Sequence, residues 1–126
     1  MKLNLSIIKG LLTIHKLSPE SEIPGEIYRS SFYNINRTED ELSIVCPSSL
    51  SIASESSDAD WACLKVNGPL DFSLTGILAD ISAVLAEAGI SIFVISTFDT
   101  DYILVKAAAL ERAKEVLQNA NHIIVD

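Results

Sequence analysis

Apolar residues recur along the second half of the chain at Leu74, Ile77, Leu78, Ile81, Val84, Leu85 and Ala88. Those spacings lay one stripe on a helix of period 3.6 and predict a helix from about Phe72 to Ala88. Asp71 or Ser73 can cap its start, and Gly89 fits the left-handed position after its end. Ahead of it, Trp61 to Val66 reads as a strand that Gly68-Pro69 terminates. Behind it, Ile90 to Thr97 is rich in β-branched and aromatic residues and reads as another strand. That strand is apolar on both faces, so it is expected inside a sheet covered on both sides. Asp99-Thr100 is a turn and Tyr102 to Lys106 the returning strand. Ala108 to Ala120 follows as a second helix with Leu110, Ala113, Val116 and Leu117 inward, and His122 to Val125 is a last short strand.

This β-α-β-β-α-β order is the split βαβ arrangement of an α+β, ferredoxin-like fold. The first half reads as a worn copy of the second. Tyr33 to Ile35, a polar turn over Asn36 to Glu41, and Leu42 to Cys46 lie over the later hairpin at a displacement of 60 residues. Ile35 then falls on Ile95, Val45 on Val105, Glu39 on Asp99 and Glu41 on Asp101. Ile7-Ile8-Lys9-Gly10 matches Lys65-Val66-Asn67-Gly68 in the same order, as a repeat requires. Helices are poor here. Pro19, Pro24 and Gly25 leave room for a turn or two over Ile23 to Ser30. Ser48 to Asp60 is rich in Ser, Asp and Glu and reads as a short helix plus an exposed loop. The expected modules are therefore residues 1–60 and 61–126, the first degenerate. The final strand follows a short linker and could pair with the N-terminal module, which would make the boundary one of sequence more than of space.

Composition narrows the function. With 17 acidic and 9 basic residues in 126, the net charge is -8, and no basic run exists to meet a nucleic-acid backbone. No apolar stretch is long enough to span a membrane. The N-terminus has recurring lysines and no small-residue cleavage site, so it reads as structure and the chain as cytoplasmic. Cys46 and Cys63 each sit in an apolar run, outside any CxxC pair, and read as buried small hydrophobes. His15 and His122 have no companions at ligand spacing, so no metal is expected. A phosphate loop, a GxSxG elbow and an HExxH helix are all missing from the sequence. Asp71, Asp80, Asp99 and Asp101 read as solvated turn and helix carboxylates. The chain is not expected to be an enzyme, and no cofactor is implied.

What remains is the strand-to-helix junction Gly68-Pro69-Leu70-Asp71-Phe72-Ser73-Leu74-Thr75-Gly76. A helix start offers unpaired N–H groups that can hold a carboxylate. Gly76 in the first turn costs about 1 kcal/mol against alanine. It serves either tight packing of the helix on its sheet or the close approach of a ligand. Asp71 or Asp101 could meet an ammonium, so the junction suggests a receptor for a free amino acid.

These residues, with Ala88-Gly89-Ile90-Ser91-Ile92-Phe93 and Ile95-Ser96-Thr97-Phe98-Asp99-Thr100-Asp101-Tyr102-Ile103-Leu104-Val105, resemble the ACT domain. More narrowly they resemble small stand-alone bacterial proteins with two tandem ACT modules, and the modules of the CASTOR arginine sensors. The strong part covers residues 61 to 107. Asp40-Glu41-Leu42-Ser43-Ile44-Val45-Cys46 adds a weaker match. The resemblance implies the βαββαβ fold and a small ligand, usually an amino acid, held between ACT modules. Carried over by position, the pocket elements are Asp71, Leu74, Thr75 and Gly76 at the helix start, Ser91 and Ile92 on the second strand, and Thr97, Phe98 and Asp101 on the hairpin. Asp71 stands where the sensors have glycine, and Leu74 where they have an acid. A guanidinium favours a bidentate carboxylate, so either Asp71 compensates for the lost acid or the ligand is a smaller or apolar amino acid. The expectation is a regulatory amino-acid-binding protein and a homodimer. The alternative is a dimerisation or interaction scaffold that holds a protein partner and no small ligand.

Overall fold

A computed structural model describes residues 2–68 and 76–126. Along the described residues run β1 (Asn4–Leu17), β2 (Asn34–Arg37), β3 (Leu42–Pro47), β4 (Ser56–Val66), α1 (Ile77–Glu87), β5 (Ile92–Ser96), β6 (Asp101–Lys106), α2 (Leu110–Asn119) and β7 (Ile123–Val125). They form two compact units, Gly10–Trp61 and the first nine residues with Ala62–Asp126. The long strands β1 and β4 therefore each contribute one half to each unit.

In the C-terminal unit the strand order is β7-β1-β4-β6-β5. The helices α1 and α2 present their stripes to this sheet. Ile77, Ile81 and Leu85 of α1 and Ala113 and Leu117 of α2 join Leu5, Leu64, Val66, Ile103 and Val105 in one core. The final strand pairs parallel to β1, Asn4 opposite Ile123 through Ser6 opposite Val125. A simple ferredoxin-like module would seat its last strand beside its first. Here the start of β1 takes that place and β7 moves one position outward. The ring of His122 holds the junction: the Leu3 N–H donates to its Nδ1 at 3.1 Å, and the Ile123 N–H donates to the Leu3 carbonyl at 2.8 Å.

Two expected elements of this unit shift. α1 opens at Ile77 instead of Phe72 because Gly76 at its N-cap takes the left-handed conformation, φ 83°, which a right-handed helix cannot include. The expected caps Asp71 and Ser73 lie outside the described residues. A Cβ at Gly76 would meet no described atom within 4 Å, so its backbone angle, and not tight packing, accounts for the glycine. β5 is an edge strand paired with β6, and Ile92, Phe93 and Val94 are half-buried, contrary to the interior position its two apolar faces suggested. Gly89 ends α1 at φ 75°, as its position suggests.

In the N-terminal unit β2, β3 and β1 pair in that order, with Leu17 opposite Leu42 and Leu42 opposite Arg37. The first half of β4 follows β1. This is the ferredoxin-like strand order with both helices reduced. A single 3-10 turn, Gly25–Arg29, replaces the first, and its buried side chain is Ile27. The expected short helix in Ser48–Asp60 is absent. Ser56 to Asp60 instead opens β4, five residues before the expected strand start at Trp61. Residues 48–55 lie along β1: the Ser48 N–H donates to the Leu11 carbonyl and the Glu55 N–H to the Lys16 carbonyl, each at 2.9 Å. Leu50 and Ile52 from this stretch pack on Leu17, Ile27, Leu42, Ile44 and Cys46.

His15 is buried in this unit, its Nδ1 3.0 Å from the Ser54 hydroxyl and its Nε2 without a hydrogen-bond partner among the described residues. Burial pushes its pKa below the ordinary 6.5. The unfolded chain then binds a proton that the folded chain refuses, so His15 costs no stability above pH 6.5 and an increasing amount as pH falls below it. Urea midpoints measured downward from neutral pH should fall less steeply for His15→Gln than for the parent. Equal slopes would remove His15 from the acid response.

Candidate functional site

Ser96 and Asp101 face each other at the end of the β5–β6 ladder, and residues 97–100 make the turn. The Thr97 N–H donates to the Thr100 carbonyl at 2.8 Å. The Thr97 hydroxyl donates to the same carbonyl at 3.1 Å, and its oxygen lies 3.3 Å from the Thr100 N–H. The Thr100 hydroxyl is buried and donates to the Val66 carbonyl, pinning the turn to the end of β4. The Ser96 hydroxyl donates to Asp101 Oδ1 at 2.5 Å.

The N-terminal unit repeats this turn. Arg37 faces Leu42, the Thr38 N–H donates to the Glu41 carbonyl at 2.9 Å, and the Glu41 N–H donates to the Thr38 hydroxyl oxygen at 3.2 Å. Thr38 thus corresponds to Thr97 and Asp40 to Asp99, a displacement of 59 residues and not 60. The correction matters because a shift by one residue exchanges the two faces of a strand. Glu39 lies on Phe98 and Glu41 on Thr100. The other match fails too: Gly10 lies inside β1 at φ 91°, whereas Gly68 follows the end of β4. The repeated turn assigns Thr97 a structural task, satisfying backbone groups at the hairpin tip.

Thr97, Phe98 and Asp101 come together on this hairpin, and Phe98 is 81% exposed. Ser91 and Ile92 do not join them. Ile92 pairs with Val105, four residues along β5 from Ser96, so it lies about 13 Å from the hairpin at a rise of about 3.3 Å per residue. Gly76 caps α1, and Asp71, Leu74 and Thr75 lie outside the described residues.

Beside the turn lies a cavity of about 200 Å³ lined by Lys65, Gly68, Thr97, Asp99, Thr100 and Tyr102. Lys65 extends over the Tyr102 ring, its Nζ 5.9 Å from the centroid. Sequence reasoning passed over Lys65. Its signal was a single charge in the otherwise apolar run Trp61 to Val66. The thiols are far from nucleophilic. Burial pushes Cys63 up to about 12, and burial with the nearby Glu26 carboxylate raises Cys46.

The segment that carries this hairpin, its cavity and both helices is the one a family model recognises. The ACT-domain model matches residues 56–119, and a model of an N-terminal domain matches residues 10–54. The chain belongs to the ACT domain family. It is similar to the human protein named cytosolic arginine sensor for mTORC1 subunit 1, 41% identical over 73 residues that make up 57% of this chain and 22% of the sensor. The rat counterpart is 30% identical over 123 residues, 90% of this chain and 37% of that protein. The chain thus spans well under half the length of these sensors. The solved structure of protein Atu0741 from Agrobacterium tumefaciens superposes with a TM-score of 0.90 at 39% identity, covering 99% of this chain and 93% of that one. The aspartate kinase of Clostridium acetobutylicum shares the fold at a TM-score of 0.67 and 18% identity, over 89% of this chain and 33% of the kinase.

Proposed function

We propose that this chain is a regulatory protein that binds a free amino acid at an interface between ACT modules, works as a homodimer in the cytoplasm, and catalyses no reaction. The observation that carries the reading is the division of the matched site residues. Thr97, Phe98 and Asp101 sit at the β5–β6 turn, and Ile92 lies about 13 Å away with Ser91 preceding it. A pocket that uses both sets is composed from two modules, with Gly76 at the N-cap of α1 and the expected Asp71, Leu74 and Thr75 outside the described residues. The sensor names support an amino acid as the ligand. Among the described residues no helix is long and apolar enough to cross a membrane, and the acidic balance disfavours nucleic acid.

A thermal-shift screen of the twenty amino acids at millimolar concentration tests this reading. A ligand that binds only the folded state raises the melting temperature, by about 2.7 kcal/mol of stability at a hundredfold excess over Kd. One amino acid, or a few related ones, should give a shift of several degrees, and Asp101→Ala should abolish it. A shift unaltered in Asp101→Ala would remove Asp101 from the pocket. A strict monomer by light scattering would refute the homodimer.

The scaffold reading has its own support in β5, an edge strand whose Ile92, Phe93 and Val94 are only half-buried. No shift from any amino acid would move the function to that edge and to a protein partner.

A further inference from the structure

Opposite charges line the cavity beside the β5–β6 turn: the Lys65 ammonium from β4 and the Asp99 carboxylate from the turn. The other polar groups nearby are engaged. Thr97 closes the turn, Thr100 is bonded to Val66, and Asp101 is held by Ser96. Asp99 makes no hydrogen bond or ion pair among the described residues. Lys65 is steered by the Tyr102 ring and forms no ion pair with Asp99. A cation and an anion facing one small space without pairing to each other complement a ligand that carries both charges a few ångströms apart. An α-amino acid is such a ligand.

We infer that this cavity reads the zwitterionic backbone of a small α-amino acid, with Lys65 taking the carboxylate and Asp99 the ammonium. The inference rests on the receptor reading above and assigns the backbone contacts to residues outside the matched set. Its volume of about 200 Å³ lies below the roughly 300–1,000 Å³ of pockets for drug-sized ligands. That leaves room for a short side chain and little for an extended one. The turn geometry explains why Asp99 is available. Its counterpart Asp40 occupies the same position in the N-terminal turn, so a carboxylate suits the turn without being consumed by it.

Calorimetric titration of the full chain with glycine, L-alanine and L-serine tests the assignment. Ethylamine, which lacks the carboxylate, and L-lactate, which lacks the ammonium, are the controls. At least one of the three amino acids should bind, ethylamine and lactate should bind at least tenfold more weakly, and Lys65→Met and Asp99→Asn should each weaken the amino acid at least tenfold. Both changes fall on a solvent-open cavity, so melting temperatures without ligand should stay close to the parent's. The analogue series on the unmodified chain decides the matter even if a variant folds poorly. Lactate binding as well as alanine would overturn the inference. So would an amino acid whose affinity is unchanged in Lys65→Met and Asp99→Asn but lost in Asp101→Ala, an outcome that leaves the receptor reading standing. If none of the twenty amino acids binds, both readings fall together.

Discussion

Ile27→Ala is expected to lower the unfolding free energy by about 2–5 kcal/mol, the range for emptying a large buried aliphatic site. Ile27 is fully buried and is the buried side chain of the 3-10 turn that stands in for a helix in the N-terminal unit. A full helix would lay several side chains on the sheet and could lose one. Here the cover over Leu17, Leu42, Ile44 and Cys46 comes from Ile27 with Ile23, Leu50 and Ile52. Chains of this length have total stabilities of roughly 6–19 kcal/mol, so one such change consumes a large share. The cysteine beside it supplies a second readout. Burial and Glu26 keep the Cys46 thiol protonated in the parent. Once Ile27 is removed, alkylation of Cys46 under native conditions should accelerate, while Cys63, in the other unit, should stay inert. Urea unfolding and a timed alkylation assay check both. A variant within about 0.5 kcal/mol of the parent would show that the 3-10 turn does not hold this face.

His122→Ala should cost about 2–4 kcal/mol, through a small cavity and an unsatisfied N–H at Leu3. His122 is 3% exposed as a residue and its side chain is fully buried. Because the Leu3 N–H donates to Nδ1, that nitrogen carries no proton, and the proton of the neutral ring is on Nε2. Nε2 faces Asp80 Oδ2 at 3.2 Å but off the hydrogen-bond direction, so the contact is electrostatic. Alanine removes the acceptor at the junction of β1 and β7, and amide exchange at Ile123 should rise with it. His122→Asn returns an acceptor near the Nδ1 position and should recover part of the loss. If alanine and asparagine cost the same, shape and not the Leu3 bond is what His122 supplies.

Much of the second half was legible because its helices carry complete stripes and its strands are short, β-branched and bounded by glycine and polar turns. The N-terminal hairpin was legible from its similarity to the later one, and Gly89 from the need for a left-handed residue after α1. The register of the repeat was not. The sequence match favoured 60 residues, and the backbone bonds of Thr38 and Thr97 fix 59. The helix start was misplaced for a related reason: apolar spacing continues through Gly76, while its φ of 83° does not. At the candidate site, the Thr-Phe-x-x-Asp hairpin was readable as a motif. Lys65 was not, because a lysine in a strand gains meaning only from what faces it.

By itself the sequence determined the βαββαβ order, the degeneracy of the first half and the hairpin that bears the candidate site. These depend on periodicity and turn chemistry within a few residues of each other. Tertiary structure decided that β1 and β4 each serve two units, that β7 pairs with β1, that β5 is an edge, and that Lys65 and Asp99 line one cavity. Each of those depends on which distant segment occupies a neighbouring position, and backbone hydrogen bonding is nearly blind to side-chain identity. A local pattern can specify a strand, but only the competition among all strands for the buried positions specifies its neighbour.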